Sequence, residues 1–245
     1  MSEAPSPRWL LIGNSRWHWA ERSTDGQLRG WDAQRPGSSA EADPPPWAWA
    51  AVGPLPDPTW APAERQVSLR DVPLAGCPPW LGVDRALAGW GAWREGREAV
   101  LVVDAGTVLS LTRVDAEGRF RGGRLLAGLG LQLEAMAQGT ARLPRLRTPV
   151  GSLPETWQGG GEGWEEDPEW PLATAAAMGV GVETALAAAV VEAAQASGSR
   201  RLVLTGGDGP MLWRRLRAMP WRGAIAVNHR PLLCLESLAR LRPVG

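Results

Sequence analysis

Short apolar runs punctuate the chain, and each ends at a glycine turn. Residues 8–12, 99–103 and 201–205 are such runs, too short for helices and bounded by Gly13, Gly106 and the pair Gly206-Gly207. They read as buried strands. Between the second and third lies an Ala-rich stretch, residues 173–197, that reads as one long helix closed by Gly198. Pro210 suits a first helical position ahead of the sequence MLWRRLRAM. Strands alternating with helices predict an α/β fold. Two segments break the pattern. Residues 33–63 are rich in Pro, Ala and Trp, and residues 148–171 combine GGGEG with acidic residues and prolines. Both read as surface loops or insertions, unable to sustain a long helix or a central strand.

The pattern also repeats. WLLIGNSRWHWAERSTDGQLRG, starting at Trp9, and LVVDAGTVLSLTRVDAEGRFRGG, starting at Leu101, share one grammar of strand, polar turn, strand, glycine turn, strand. Gly13 matches Gly106 and Asn14 matches Thr107. Further on, Asp25-Gly26 matches Glu117-Gly118 and Arg29-Gly30 matches Arg121-Gly122, with one residue of slippage between the ends. Two copies of this unit predict a duplicated domain pair facing a cleft, with each first turn offering backbone N–H groups to a polyphosphate. The expected division is 1–98, carrying the insertion at 33–63, and 99–245, with the C-terminal helix free to pack back on the first domain.

Composition narrows the chemistry. The 245 residues hold 26 basic and 26 acidic side chains, for zero formal net charge, which argues against a nucleic-acid partner or an anionic membrane surface. Every one of the 26 cations is Arg. A chain without Lys excludes a Walker-type phosphate loop and Schiff-base chemistry. Two cysteines, Cys77 and Cys234, and two histidines, His18 and His229, are too few and too scattered for a zinc site or a disulfide framework. A reducing, cytoplasmic location is the default. The stretch 184–194, broken by Glu192, reads as too short to span a bilayer, and a soluble protein is expected.

Two carboxylates stand out. Asp104 ends the run AVLVVD ahead of AGT, where it reads either as a turn-starting Asp or as part of a phosphate and cation hairpin. Asp84, in LGVDRALAGW, reads either as the N-cap of the next helix or as a general base with Arg85 beside it.

The ordered series IGNS, GVDR, DAGT, GGRLLAGLGL, TARLP at 140–144, TAAAMGVG and LTGGDG resembles the type III pantothenate kinases. These belong to the superfamily of acetate and sugar kinases, chaperone ATPases and actin. The resemblance covers residues 9 to about 209. It implies two ribonuclease H-like halves with the active site between them, a homodimer, and transfer of the ATP γ-phosphate to pantothenate, the first step of coenzyme A synthesis. By the same resemblance, Asp84 is the proton acceptor, and Gly82, Val83, Asp84 and Arg85 form the substrate motif. Thr174 contacts substrate. Gly13, Asn14, Ser15, Arg16, Gly106, Thr107, Gly206 and Gly207 surround ATP, which carries Mg²⁺. Asp104 holds an activating monovalent cation, K⁺ or NH₄⁺.

The first hairpin departs from the family pattern, since Leu11 occupies the place of its usual Asp and Ser15 that of its Thr. A Leu side chain has no donor for a hydrated metal ion. His18 reads here as a strand residue rather than a replacement ligand. A non-catalytic relative that binds a ligand or regulates is therefore the alternative function, and a kinase for another small alcohol or sugar is a third.

Overall fold

The computed structural model describes residues 6–34, 45–53, 55, 61–146, 167, 169–219 and 225–243. The chain divides into two units. The first comprises residues 1–99, 114–121 and 232–245, and the second residues 100–113 and 122–231.

The first unit is built on strands β1 (Arg8–Ile12), β2 (Arg16–Arg22), β3 (Leu28–Gln34) and β4 (Ala48–Ala51), in sheet order β3-β2-β1-β4. β1 pairs antiparallel with β2 and β2 with β3, while β4 lies parallel to β1. Period-two alternation sorts the side chains onto two faces. Leu10, Ile12, Trp17 and Trp49 form a cluster on one of them. Helices α1 (Val83–Gly96) and α5 (Leu233–Leu241) complete the unit. They cross closely at Gly91, where a Cβ would stand 2.0 Å from Ser237 Oγ. Only a glycine lets the two backbones approach that far.

β4 corrects one expectation, because it lies inside the stretch read as a loop. The tripeptide Ala48-Trp49-Ala50 is buried, and the Trp49 ring N–H donates to the Pro62 carbonyl at 2.9 Å. Proline-rich flanks mask an apolar segment just long enough to add an edge strand, where prolines are tolerated. The second loop expectation, at 148–171, lies outside the described residues except for Asp167 and residues 169–171.

The second unit carries β5 (Val100–Ala105), β6 (Val108–Val114), β7 (Phe120–Ala127), β8 (Arg201–Thr205) and β9 (Ala226–His229), in sheet order β7-β6-β5-β8-β9. β8 lies parallel to both β5 and β9. Its helices are α2 (Leu129–Gly139), α3 (Thr174–Ser197) and α4 (Gly209–Ala218). Their apolar faces meet the sheet in a core that includes Leu101, Val103, Leu133, Leu186, Leu204 and Leu212. α3 ends at Gly198, with φ +66° as a left-handed cap requires. Pro210 sits in the first turn of α4.

α3 is longer than the apolar stretch read from the sequence, and by length and composition alone it could cross a membrane. Its buried side includes Met178, Val182 and Leu186 of the core. It also holds Glu183, whose Oε2 accepts from Arg215 Nε at 3.2 Å. These contacts make it the central helix of the second unit.

The repeat is visible in both sheets. Each begins with three consecutive strands in the spatial order third-second-first, and the second turns are built alike. Ser23 N–H donates to the Gln27 carbonyl and Gly26 N–H to the Ser23 carbonyl, and Asp115, Arg119 and Gly118 repeat the pair of bonds. Gly26 and Gly118 take φ of +82° and +75°. The slippage has a location. Three residues, 13–15, separate β1 from β2, whereas two, 106 and 107, separate β5 from β6. Accordingly Gly13 N–H donates to the Arg16 carbonyl, and Gly106 N–H to that of Val108. Each unit is thus a three-strand meander extended by parallel pairing and covered by helices, a duplication as the repeat anticipates and the ribonuclease H-like arrangement that the resemblance implies.

Candidate functional site

The residues singled out from the sequence fall into both units. In the first, the GVDR segment opens α1. The helix starts at Val83 with Gly82 as its N-cap residue. Asp84 therefore stands inside the first turn, which corrects the reading of Asp84 as the cap itself. Its Oδ1 accepts from the Arg85 backbone N–H at 2.7 Å. A Cβ on Gly82 would stand 2.5 Å from Asp84 Oδ1, so the glycine is what leaves this carboxylate room. The Asp84 carbonyl accepts from Cys234 Sγ at 3.6 Å, which ties the start of α1 to α5.

Burial pushes the Asp84 carboxyl above its ordinary range, against the lowering pull of the Arg85 N–H and guanidinium. A carboxylate that is reluctant to stay charged is a better proton acceptor than a solvated one. The Arg85 guanidinium lies 5.7 Å from the centroid of the Phe120 ring. That stacking steers the cation without consuming its hydrogen-bond donors. Beside this helix start is a pocket of about 310 Å³, lined by Val52, Val67 and Leu81 with Gln66 and Ser68, and by Gly82 and Val83 of the motif. Its walls are largely apolar with a few polar groups, as in small-molecule sites.

The first hairpin, also in this unit, exposes Asn14 and Ser15 and half-buries Gly13 and Arg16. Gly53 presses on it from beyond β4, since a Cβ there would stand 2.3 Å from the Gly13 carbonyl oxygen. Leu11, two residues before Gly13, is buried.

In the second unit, Asp104 is the penultimate residue of β5, in register with Thr205 of β8. It is half-buried, while Thr107 at the following turn is exposed. Two glycines crowd this turn. A Cβ on Gly128, the N-cap residue of α2, would stand 2.0 Å from the Gly106 carbonyl oxygen. One on Gly206, with φ +88°, would stand 2.4 Å from both Asp104 Oδ1 and the Ala105 carbonyl oxygen. Gly207 is half-buried in the same β8–α4 connection, where the Asp208 N–H donates to the Ala105 carbonyl at 2.8 Å. Asp104, Gly106, Gly206 and Gly207 are thus brought to one end of the sheet. Thr174 is apart from that cluster in sequence and opens α3 with an exposed side chain. Among the described residues, no three His, Cys, Asp or Glu side chains gather as a metal cluster.

Sequence reasoning missed several participants. Phe120, Gly53 and the pairing of His18 with Asp32 carry no local signal, because each depends on strands that meet only after folding. Gly128 could have been found, since it lies within the quoted run GGRLLAGLGL.

Residues 73–196 match the family model of type III pantothenate kinase. The chain is 34% identical over 252 residues to the type III pantothenate kinase of Synechococcus elongatus (strain ATCC 33912 / PCC 7942 / FACHB-805), covering 95% of this chain and 94% of that one. It is 38% identical over 245 residues to that of Synechococcus sp. (strain JA-3-3Ab), covering 96% and 92%. Among solved structures, it is similar to component A of (R)-2-hydroxyglutaryl-CoA dehydratase from Acidaminococcus fermentans. That match has a TM-score of 0.53 at 13% identity and covers 98% of this chain and 96% of that one.

Proposed function

The chain belongs to the type III pantothenate kinases, and we propose that it phosphorylates pantothenate with Asp84 as the general base. The activity is ATP-dependent transfer of a phosphoryl group to pantothenate in coenzyme A biosynthesis. Leu11 alone favours the non-catalytic alternative, and no comparison does. The observation that carries the assignment of the base is the Asp84 carboxyl, raised by burial and left room by Gly82, which with Val83 lines a largely apolar pocket next to it in sequence.

Phosphoryl transfer passes through a loose transition state, so the protein's task is to position groups and stabilise charge. The acceptor hydroxyl gives its proton to Asp84 as its oxygen bonds to the γ-phosphorus and the bond to the leaving ADP oxygen breaks. Arg85, steered by Phe120, offers a fixed cation to the acid end of the substrate or to the phosphoryl oxygens. Val52, Val67 and Leu81 suit the branched apolar middle of pantothenate, and Gln66 and Ser68 its amide. Thr174 adds a further hydroxyl for substrate.

The phosphates fall to the hairpins: Gly13, Asn14, Ser15 and Arg16 in the first unit, and Gly106, Thr107, Gly206 and Gly207 in the second. Backbone amides at glycine turns bind anions without lysine. The carboxylate of Asp104 and the carbonyl of Ala105, both close to Gly206, are hard oxygen donors suited to K⁺, NH₄⁺ or Mg²⁺. Such cations, when bound, offset the charge of the phosphates. A homodimer in the cytoplasm completes the reading. Trp80, Trp170 and Leu172, at 83%, 80% and 61% exposure, are the kind of side chains a subunit interface covers.

The test is a coupled assay with pantothenate, Mg²⁺-ATP and K⁺, beside an Asp84→Asn control and light scattering for the dimer. Turnover in the wild type that falls about 10²–10⁴-fold in the variant is expected for a lost general base. Wild-type turnover in Asp84→Asn would remove Asp84 from the role.

A further inference from the structure

The two copies of the repeat carry different chemistry at one position. Asp104 stands two residues before Gly106, and Leu11 two residues before Gly13. The first hairpin therefore has no carboxylate at the end of β1. Its neighbours across the sheet supply one. Leu11 pairs directly with His18 of β2, and His18 pairs directly with Asp32 of β3. Residues paired this way share a sheet face with Cβ atoms about 5 Å apart, so the three form one row.

Within the row, His18 Nδ1 lies 2.7 Å from Asp32 Oδ1. Asp32 accepts the Nδ1 proton, which orients the ring and commits Nε2 to the opposite edge. That edge meets the phosphate hairpin: a Cβ on Gly13 would stand 3.2 Å from Nε2 and 3.0 Å from the Arg16 carbonyl oxygen. The side chains of His18 and Asp32 are 34% and 37% exposed, so the pair is open to a ligand while its backbone is fixed within the sheet. An exposed cross-strand pair contributes little to stability. Its geometry against the hairpin is better suited to binding.

We propose that His18, oriented by Asp32, is a positioning residue for the metal-bound nucleotide, its Nε2 accepting a hydrogen bond from a water on the Mg²⁺ that ATP carries. The inference rests on the kinase reading and deepens it. Mg²⁺ favours oxygen ligands and keeps several waters, so an imidazole serves it through water rather than as a direct ligand. A carboxylate behind the ring strengthens Nε2 as an acceptor. The His–Asp pair thereby does by reach from β2 and β3 what a carboxylate at position 11 would do from β1.

The experiment is calorimetric titration of the full chain with ATP, once in Mg²⁺ and once in EDTA. For His18→Ala, Mg²⁺-ATP affinity is expected to fall about tenfold or more, as for losses in the outer shell of a metal, with metal-free ATP affinity nearly unchanged. Asp32→Asn keeps an acceptor for Nδ1 but loses the charge, and a smaller fall with the same metal dependence is expected. Thermal melts of both variants check that the sheet is intact. An equal loss with and without Mg²⁺ would mean the ring meets phosphate directly, and the proposal would be wrong. Unchanged affinity in both buffers would reduce the pair to a surface ion pair and overturn it as well. A wild type that binds no ATP in either buffer would instead sink the kinase reading beneath it.

Discussion

The two meanders are the same device built to different tolerances. Their second turns share hydrogen bonds and a left-handed glycine, yet their first turns differ in length and in the residue before the glycine. The second copy's turn is tight, with Gly128 and Gly206 pressed against its backbone and Asp104 at its base. The first copy's turn is one residue longer, has Leu11 at its base and is flanked by the His18–Asp32 pair. A duplicated fold keeps its scaffold because hydrogen-bonded registers and buried faces constrain it jointly. The chemistry at the turn is free to move to any neighbour that projects to the same place. Asp84, on a helix outside the repeat, belongs to neither copy.

The asymmetry can be tested by matched changes. The largest effect is expected at Asp84: a turnover loss of about 10²–10⁴-fold in Asp84→Asn would put the proton acceptor outside both meanders. Next comes the base of each first turn. Asp104→Asn is expected to lower turnover about 10–100-fold and to blunt its dependence on K⁺ concentration, the scale typical of a lost metal-site contact. Leu11→Met, a volume-conserving change, is expected to leave both intact. Equal losses in the two variants would mean the copies are not specialised as described.

The second turns offer a smaller contrast. Gly26→Ala meets no atom within 4 Å and is expected to cost only the strain of a positive φ, about 1 kcal/mol. In Gly118→Ala the new Cβ would stand 2.7 Å from the Trp93 ring, so about 1–3 kcal/mol more is expected from overpacking. Denaturant unfolding of the two variants measures the difference, and similar costs would show that Trp93 moves aside.

The smallest expected effect is on stability at Asp84. Burial raises its carboxyl pKa in the folded chain above the ordinary carboxylate value. The folded state therefore holds this proton more tightly than the unfolded state. The group's contribution is fully present below the ordinary carboxylate value and is lost as pH rises through the raised folded value. Asp84→Asn removes that loss. Its Tm relative to wild type is expected to be higher at about pH 7 than at about pH 4. A difference that is flat with pH would mean the folded carboxyl titrates normally.

Much of this was legible in the sequence. The runs at 8–12 and 201–205 reappear with the same bounds as β1 and β8, because short apolar segments between glycines have few other uses. The repeat gave away both meanders, since the left-handed positions of their second turns favour glycine, present there as Gly26 and Gly118. The motif series led to the family. Other features had no local signature. β4 was hidden by its proline flanks, and the capping role passed from Asp84 to Gly82 because the helix begins two residues earlier than an Asp84 cap would need.

The sequence by itself determined the α/β class, the duplication, the family and the residue types available, including the absence of lysine that leaves phosphate binding to backbone and arginine. The class and the duplication follow from periodicity, the available residue types from composition and the family from the resemblance of its ordered motifs, all of which are read along the chain. Tertiary structure decided what burial does to Asp84, which ring steers Arg85, which glycines must stay bare and which pair stands beside Leu11. Each depends on a distance between residues far apart in sequence, set by sheet register and close packing rather than by any local preference.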